Sequence, residues 1–370
     1  MDERQSLPVR RLSEYRRGHS RAPSTKSDRS ANSGGRPKLS MNNFAYVRPN
    51  DIDSALNLIR TRPKARFLAG GTNLLDLWKM GVEQPQTVID ISRLGLTDIA
   101  PRPDGTGLRI GALARNSDLA EHPLVLSQFP VLSRALLAGA SPQLRNAATV
   151  GGNLMQRTRC PYFYDPAFPS CNKRKPGSGC GALNGYNRIH AILGQSNQCI
   201  ATNPSDMSVA LAVLDAQVRV IGPDGERVIP IAEFHRLPGD HPELDTTLQP
   251  NELITAVDLP PMADTKHAVY LKVRDRSLYA FALVSVAASL VIENGSIASA
   301  RIALGGVAHK PWRVPEAEIL IKGVSPDHAA FDMVADRLLQ GAHAYRYNQY
   351  KLALARKSVI RALSAAAAST

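Results

Sequence analysis

Four cysteines, the only ones in a chain of 370 residues, lie within a window of forty positions. They are Cys160, Cys171, Cys180 and Cys199, and ten, eight and eighteen residues separate successive members. Thiolates are ligands of metals and of iron–sulfur clusters, and pairs of thiols form disulfides. The segment is therefore the first place in the chain where chemistry is expected.

The spacing of the cysteines leaves three interpretations open. Two disulfides would suit an exported protein, although small disulfide-rich domains carry cysteines more densely. Structural zinc sites usually contain pairs of cysteines two to four residues apart, and this segment has no such pair. An iron–sulfur cluster needs four thiolates and tolerates varied spacing where a long loop wraps around it.

The composition of the segment suits wrapping, because it is rich in proline and glycine. Residues 157–180 carry five basic residues, which are Arg157, Arg159, Lys173, Arg174 and Lys175. Four thiolates around a cluster leave excess negative charge, which nearby cations would offset. These observations agree with a cluster and do not exclude the two other interpretations.

A glycine pair in "FLAGGTNLL" separates a short apolar run from a helical pattern. Glycines let the backbone approach a ligand, and free N–H groups at such a turn attract an anion such as pyrophosphate. The candidate ligand contacts of this first glycine loop are Phe67, Leu68, Ala69, Gly70, Gly71, Thr72, Asn73 and Leu74. The alternative is a plain strand-to-helix turn, and the motif matches neither a Rossmann nor a Walker signature.

A second glycine loop, "QLRNAATVGGNLMQ", follows about eighty residues later. It offers small residues, N–H donors and an amide at Thr149, Gly151, Gly152 and Asn153. The two loops together could hold both sides of a dinucleotide. In "ATNPSDM", Asp206 could accept hydrogen bonds from ligand hydroxyls, or it could simply be an acid in the first turn of a helix.

The surrounding elements predict an α+β fold. Apolar residues at i, i+3, i+4 and i+7 after Asp51 indicate a helix, and "ARFLA" indicates the buried strand before the first glycine loop. The pattern from Leu119 to Leu137 predicts a helix that is broken at Pro123 and Pro130. Residues 217–230 are predicted to form a hairpin. Beyond a change of composition at 262–266, three strands and two helices close the chain.

The formal net charge of +13 is concentrated in the first forty residues. This stretch holds ten Lys or Arg and four Asp or Glu, and it is predicted to be disordered. The remaining charge predicts no nucleic-acid partner. No long apolar run indicates a membrane span, and the arginine pairs of the tail are not followed by the apolar stretch of a signal peptide.

Taken together, "AGGTNL", "QLRNAATVGGNL", "PSD" and "YLKVRDRSLYAFALVSVAA" resemble the FAD-binding subunit of xanthine-oxidase-type molybdenum hydroxylases. The resemblance runs from about Met41 to the C-terminus. The cysteine segment and "LGGVAHKPWR" are similar to bacterial aldehyde oxidoreductase FAD subunits in particular.

The resemblance implies a two-lobed FAD-binding domain of the vanillyl-alcohol-oxidase (PCMH) type. A small α+β C-terminal domain with a three-stranded antiparallel sheet and helices would follow it. The expected divisions are a disordered tail at 1–40, an FAD-binding domain at 41–264 with an iron–sulfur insert at 156–199, and a C-terminal domain at 265–370.

The resemblance also implies roles for individual residues. Residues 69–74 and 149–153 would hold the pyrophosphate of FAD, and Asp206 would lie near its ribityl or isoalloxazine part. Lys272, in "YLKVRD", would lie on a strand beside the flavin, or else be a solvated lysine. The four cysteines of the insert would bind a [4Fe-4S] cluster, as in a minority of the family.

The implied function is electron transfer within a heterotrimeric aldehyde oxidoreductase, and no catalytic residue is assigned to this chain. The partners would be a large subunit that binds the molybdenum cofactor and a small [2Fe-2S] subunit. The chain would reach the periplasm as a passenger of a signal-bearing partner, or remain in the cytoplasm. Alternatives are an FAD subunit of a xanthine dehydrogenase or 4-hydroxybenzoyl-CoA reductase, a stand-alone flavoprotein oxidase, and a non-enzymatic cluster or zinc protein.

Overall fold

The computed structural model describes residues 42–277 and 279–369. The tail predicted at residues 1–40 lies outside the described residues. Within the described ranges, no helix combines the length and apolar character that crossing a bilayer requires.

The first elements form a small parallel sheet that carries the first glycine loop. They are β1 (Ala45–Val47), α1 (Ile52–Thr61), β2 (Ala65–Leu68), α2 (Leu74–Lys79) and β3 (Thr87–Asp90). β3 lies between β1 and β2 and pairs with both in parallel. The Asp51 carboxylate caps α1 by accepting a hydrogen bond of 2.7 Å from the Ser54 N–H, so the predicted helix start is confirmed.

A run of short helices follows and ends in the second glycine loop. The elements are β4 (Ile99–Pro101), β5 (Leu108–Gly111), α3 (Asn116–Glu121), α4 (Pro123–Gln128), α5 (Pro130–Ala138), α6 (Pro142–Arg145) and α7 (Val150–Leu154). Pro123 and Pro130 each occupy the first turn of a new helix, where a missing N–H costs nothing. The predicted breaks at these two prolines are therefore confirmed.

The cysteine segment contains little regular structure. Its two helices, α8 (Pro161–Tyr164) and α9 (Gly181–Asn184), have four residues each. The rest of the segment follows turns, and isolated antiparallel bridges join Cys171 to Cys180 and Ser196 to Cys199. The segment thus has the wrapped course that its proline and glycine content predicts.

A five-stranded antiparallel sheet completes the first part of the chain. Its elements and their neighbours are α10 (Asp206–Val213), β6 (Gln217–Gly222), β7 (Gly225–Pro230), α11 (Ile231–Phe234) and β8 (Leu253–Leu259). The strand order is β4-β5-β8-β6-β7, and the predicted β6–β7 hairpin is confirmed. The residues of α10 after Asp206 are all buried, so this helix is a central element of the core.

The C-terminal elements form the predicted antiparallel sheet with helices. They are β9 (Ala268–Val273), β10 (Val284–Glu293), β11 (Ser296–Gly305), α12 (Pro315–Ile319), α13 (His328–Leu338) and α14 (Tyr350–Ala367). The strand order is β11-β10-β9, and α14 packs on β9 and β10. β10 begins at Val284, after a loop in which Tyr279 has a positive φ of 50°.

Candidate functional site

The two glycine loops lie directly against each other. A Cβ atom built on Gly70 would stand 1.8 Å from the carbonyl oxygen of Ala147, which lies in the second loop. Gly71 has a φ of +72°, a conformation that side chains with a Cβ rarely adopt. Glycine is therefore required at both positions of the first loop, for space at one and for backbone conformation at the other.

The first loop presents free backbone donors. Within the described part of the chain, the N–H groups of Gly70, Gly71, Thr72 and Asn73 have no hydrogen-bond acceptor. Successive N–H groups in a turn form a concave site that binds anions. This loop therefore has the chemistry that a pyrophosphate requires.

The second loop differs from the prediction. The N–H groups of Val150 and Gly151 donate to the carbonyl oxygens of Ala114 (3.0 Å) and Ala112 (2.7 Å). The N–H of Gly152 donates to Thr149 Oγ1 at 3.2 Å. Because these donors are occupied, the expectation that this loop offers free N–H groups is wrong for them, and the loop instead packs against the first.

Two asparagine amides connect the glycine loops to their surroundings. Asn73 Oδ1 accepts a hydrogen bond of 2.9 Å from the N–H of Arg157, the second residue of the predicted insert. Asn153 Oδ1 accepts one of 2.8 Å from Ser205 Oγ, the residue that caps α10. Asn73 thus joins the first glycine loop to the cysteine segment.

Asp206 lies in a buried polar cluster with two residues of β9. Lys272 Nζ is 2.8 Å from Asp206 Oδ2 and also donates to the Ala138 carbonyl at 3.0 Å. Tyr270 donates to Asp206 Oδ1 at 2.5 Å. Burial, with the Asp206 charge adding to it, holds the pKa of Tyr270 well above its usual range. The side chain of Lys272 is 4% exposed, so the interpretation of a solvated lysine is wrong.

Asp206 also forms the shared wall of two cavities. The larger has a volume of about 520 Å³, within the range of small-molecule sites, and the smaller about 240 Å³. Asn153 and Lys272 line the larger cavity, and Phe281 lines both. Three predicted site residues are therefore brought together here, whereas the first glycine loop does not line either cavity.

Replacing Lys272 with methionine is expected to lower the free energy of unfolding by about 3 kcal/mol, because it leaves the Asp206 carboxylate buried without its cation. Denaturant unfolding of the purified protein measures this. The control is Arg356→Met, since the exposed pair of Arg356 with Asp336 should contribute at most about 1 kcal/mol. Equal losses in the two variants would contradict the assignment of a buried pair at Lys272.

The four cysteine thiols line one small cavity inside the predicted insert. All four are free, and Cys160, Cys171 and Cys199 are buried. Residues from both ends of the insert are thus brought together although up to thirty-nine positions separate them. Because the structure contains no disulfide among them, the disulfide interpretation receives no support.

The arrangement does not resemble the site of a single metal ion. Among the described residues, no three His, Cys, Asp or Glu side chains are gathered closely enough to hold one. A [4Fe-4S] cluster makes a different demand, since it is held by four thiolates that surround a multi-atom body. Four free thiols around a common cavity supply that donor set, so the residues present fit a cluster.

The thiols differ in acidity. Burial raises the pKa of Cys160 to about 12. The hydrogen bond between Cys180 and Cys199 lowers the pKa of the first and raises that of the second. Cys180 is therefore the more acidic thiol of this pair. The thiolate is the form that binds metal.

Two buried histidines contact the cysteines. His190 Nε2 is 3.1 Å from Cys160 Sγ, and His309 Nε2 is 3.4 Å from Cys199 Sγ. Burial lowers the pKa of His190 to about 4, with Lys351 adding to the effect, and holds that of His309 well below its usual range. The sequence prediction missed both, although His190 lies in the cysteine segment itself.

Two basic residues of the insert, Arg157 and Lys173, are neutralised by carboxylates. Arg157 pairs with Glu83 and with Asp245, each at 2.8 Å, and Lys173 pairs with Asp245 at 2.6 Å. Two cations and two carboxylates cancel, so these residues do not supply the excess positive charge that was expected. Their role is to attach the insert to the loops that carry Glu83 and Asp245.

The start of α14 holds the other end of the insert. Lys351 is completely buried, and its Nζ donates to the carbonyls of Ile189 (3.1 Å), His190 (3.0 Å) and Gly306 (2.7 Å). Asn348 Nδ2 also donates to the His190 carbonyl, at 3.2 Å. These bonds fix the backbone beside Cys160.

Lys351 also makes stability depend on pH. Burial, reinforced by the charge of Arg188, lowers its pKa to about 7 from an ordinary value of 10.5. Between these values the unfolded chain binds a proton that the folded chain has released, so the free energy of unfolding should rise with pH. The slope is at most about 1.4 kcal/mol per unit.

Urea titrations at pH 7, 8.5 and 10 (about the span set by the two pKa values) measure this slope. Lys351→Met should flatten the curve, and Lys357→Met, on the exposed side of the same helix, should leave it as in the wild type. If the free energy of unfolding of Lys351→Met still rose with pH, the pH dependence would have to come from another titratable group.

The fold combines three sheets: a parallel sheet that carries a glycine loop, a five-stranded antiparallel sheet and a three-stranded C-terminal sheet. This combination defines a class of flavoprotein subunit. Residues 42–262 match the family described as "FAD binding domain in molybdopterin dehydrogenase". Residues 269–366 match "CO dehydrogenase flavoprotein C-terminal domain". The chain belongs to this family of FAD-binding subunits of molybdenum hydroxylases, which are oxidoreductases.

Similar proteins agree with this membership. The chain is 52% identical over 329 residues to the aldehyde oxidoreductase FAD-binding subunit PaoB of Escherichia coli K12, covering 89% of this chain and 99% of the relative. It is 28% identical to the glyceraldehyde dehydrogenase medium chain of Sulfolobus acidocaldarius, covering 74% and 79%. A chain of the carbon monoxide dehydrogenase structure from Hydrogenophaga pseudoflava superposes with a TM-score of 0.69 at 26% identity, covering 88% and 98%.

These findings confirm the predicted family and fold class. FAD is the cofactor that the family match supports. The boundaries at residues 40 and 264 and the individual ligand assignments remain predictions.

Proposed function

We propose that the chain is the FAD- and [4Fe-4S]-containing electron-transfer subunit of a molybdenum-dependent aldehyde oxidoreductase. The observation that carries the proposal is 52% identity along 89% of the chain to an aldehyde oxidoreductase FAD-binding subunit. FAD accepts electrons in pairs and releases them singly, which is the chemistry it supplies when bound.

In this proposal the first glycine loop binds the FAD pyrophosphate through its free N–H groups. The second loop supports the first from behind, at the contact between Gly70 and Ala147. The cavity bordered by Asp206 and Lys272 receives the flavin end of the cofactor, and the hydrogen-bonded cluster around Asp206 fixes the shape of its wall.

The four cysteines hold the [4Fe-4S] cluster. What supports this is that four free thiols line one cavity. The two histidines beside them add polar contacts in an otherwise buried environment. Near its start, the insert is joined to the first glycine loop by the hydrogen bond from the Arg157 N–H to Asn73 Oδ1. The cluster and the FAD pyrophosphate would therefore lie on opposite sides of this hydrogen bond.

The partners proposed for the chain are a large subunit with the molybdenum cofactor, where aldehyde is converted to carboxylic acid, and a small [2Fe-2S] subunit. This chain takes up the electrons from the small subunit and delivers them to an external acceptor. The assembly is either exported with a signal-bearing partner or retained in the cytoplasm.

The test is anaerobic purification of the complex, with flavin, iron, sulfide and zinc measured per copy of this chain. One FAD, and about four irons and four sulfides beyond those of the small subunit, are expected. Flavin accompanied by zinc, or by no additional iron, would contradict the cluster. A well-folded complex without flavin would contradict the function as a whole.

A further inference from the structure

We propose that His190 and His309 donate hydrogen bonds to the cluster-bound thiolates of Cys160 and Cys199 and thereby raise the reduction potential of the cluster. This inference rests on the proposed [4Fe-4S] cluster. It concerns positioning residues of this chain that neither the family match nor the relatives' names assign.

The hydrogen-bond direction follows from the chemistry of the two partners. A thiolate that binds iron has no hydrogen and can only accept, so the ring nitrogen facing it must carry the proton. That nitrogen is Nε2 in both histidines, at 3.1 and 3.4 Å from sulfur.

The other ring nitrogen supports the same tautomer. Nδ1 of His190 and of His309 is buried and has no hydrogen-bond partner among the described residues. An N–H group left without an acceptor in a buried site is costly and rare, whereas an unpaired acceptor is tolerated more often. The hydrogen therefore belongs on Nε2, where it points at the cysteine.

The two imidazoles are held in place from outside the cluster. The His190 carbonyl accepts hydrogen bonds from Lys351 and Asn348, and its N–H donates to Asn187. The segment before His309 is tied to the insert, because Ile192 and Leu193 both donate to the Val307 carbonyl at 2.9 and 3.0 Å. One histidine thus comes from the insert and the other from the segment after β11.

The expected effect on the cluster follows from charge. Reduction adds an electron to a group that is already negative, and an N–H directed at sulfur stabilises the added charge. The effect is stronger in a buried, weakly polarisable environment. Backbone N–H groups also face the sulfur atoms, for example those of Tyr162 and Phe163 at Cys160. The histidines add side-chain dipoles to these donors, and a substitution can remove them without changing the backbone.

The test is a redox titration of the purified complex followed by electron paramagnetic resonance of the cluster. His190→Leu should lower the midpoint potential, increasing the oxidised-to-reduced ratio at fixed potential about tenfold, or about 59 mV for one electron. His309→Leu should act in the same direction, and His190→Gln should restore part of the shift through its amide N–H.

The matched control is His235→Leu. His235 is also buried, but its Nε2 contacts the Leu154 carbonyl at 3.0 Å and not a cysteine. The cluster potential should therefore be unchanged in this variant. Unchanged potentials in both cysteine-facing variants, or an equal shift in the control, would overturn the inference.

If a leucine variant fails to bind the cluster, a measurement on the wild type tests whether the histidines donate hydrogen bonds to the cluster-bound thiolates. With 15N-labelled histidine, the reduced cluster should show hyperfine coupling to histidine nitrogen, and its absence would overturn the inference. A wild-type complex that lacks the additional iron and sulfide contradicts the proposed function itself. A loaded wild type without histidine coupling contradicts only this inference.

Discussion

Serine in place of Cys199 is expected to remove most of the additional iron and sulfide from the complex while FAD stays bound. Cys199 is buried and lines the cavity with the three other cysteines. Without its thiolate the cluster has three ligands of the four it needs. FAD should remain because Arg157, Glu83 and Asp245 attach the insert to the flavin-binding part without using a cysteine.

The measurement compares the iron, sulfide and flavin content per chain of the Cys199→Ser complex with that of the wild-type complex. Lys175→Ala is the control, because this exposed lysine lies in the same segment and only its backbone is hydrogen-bonded to Cys171. It should keep the full iron content. A Cys199→Ser complex with wild-type iron would remove this cysteine from the ligand set.

Alanine at Gly70 is expected to abolish FAD retention. The added Cβ would stand 1.8 Å from the Ala147 carbonyl oxygen, a distance that only displacement of one glycine loop can relieve. Moving the first loop shifts the N–H groups that bind pyrophosphate. Overpacking of this kind destabilises proteins by about 3 kcal/mol when backbone atoms must move.

Flavin absorbance after gel filtration measures retention, and denaturant unfolding measures the stability loss. Gly95→Ala is the control: Gly95 has a φ of +68°, but a Cβ there would meet no atom within 4 Å. It therefore carries backbone strain without overlap and should keep its flavin. If Gly70→Ala bound FAD as tightly as the wild type, the two loops could not be in the contact described.

Features encoded over short stretches of sequence were predictable. The helix after Asp51, the new helices at Pro123 and Pro130, and the three C-terminal strands all follow from local capping, proline geometry and alternation. β1 and β4 have three residues each, too few for periodicity to reveal them. The glycine pair of the first loop was recognisable because the strand before it and the helix after it both have clear patterns.

Contacts between distant residues were not predictable from one sequence. His309 reaches Cys199 across 110 positions, and nothing in its neighbourhood marks it as a cluster contact. In the sequence, nothing distinguishes Lys351 from an ordinary exposed lysine of a helix. In the structure it is buried, and its Nζ donates to the carbonyl oxygens of Ile189, His190 and Gly306. Two N–H groups of the second glycine loop are occupied by the carbonyl oxygens of Ala112 and Ala114, and nothing in the sequence of the loop indicates that this distant strand end lies behind it.

The attachment of the insert has a consequence for protein engineering. Its contact points outside the cysteine segment include Glu83, Asp245, Asp275, Asn348 and Lys351, which are spread over most of the chain. Excising the segment would remove two of the three carbonyl partners of Lys351 Nζ, and it would remove the cations that pair with Asp245 and Asp275. Equally, a chimera that receives only the cysteine segment would lack these attachments, so the transplantable unit is the segment together with its distant contacts.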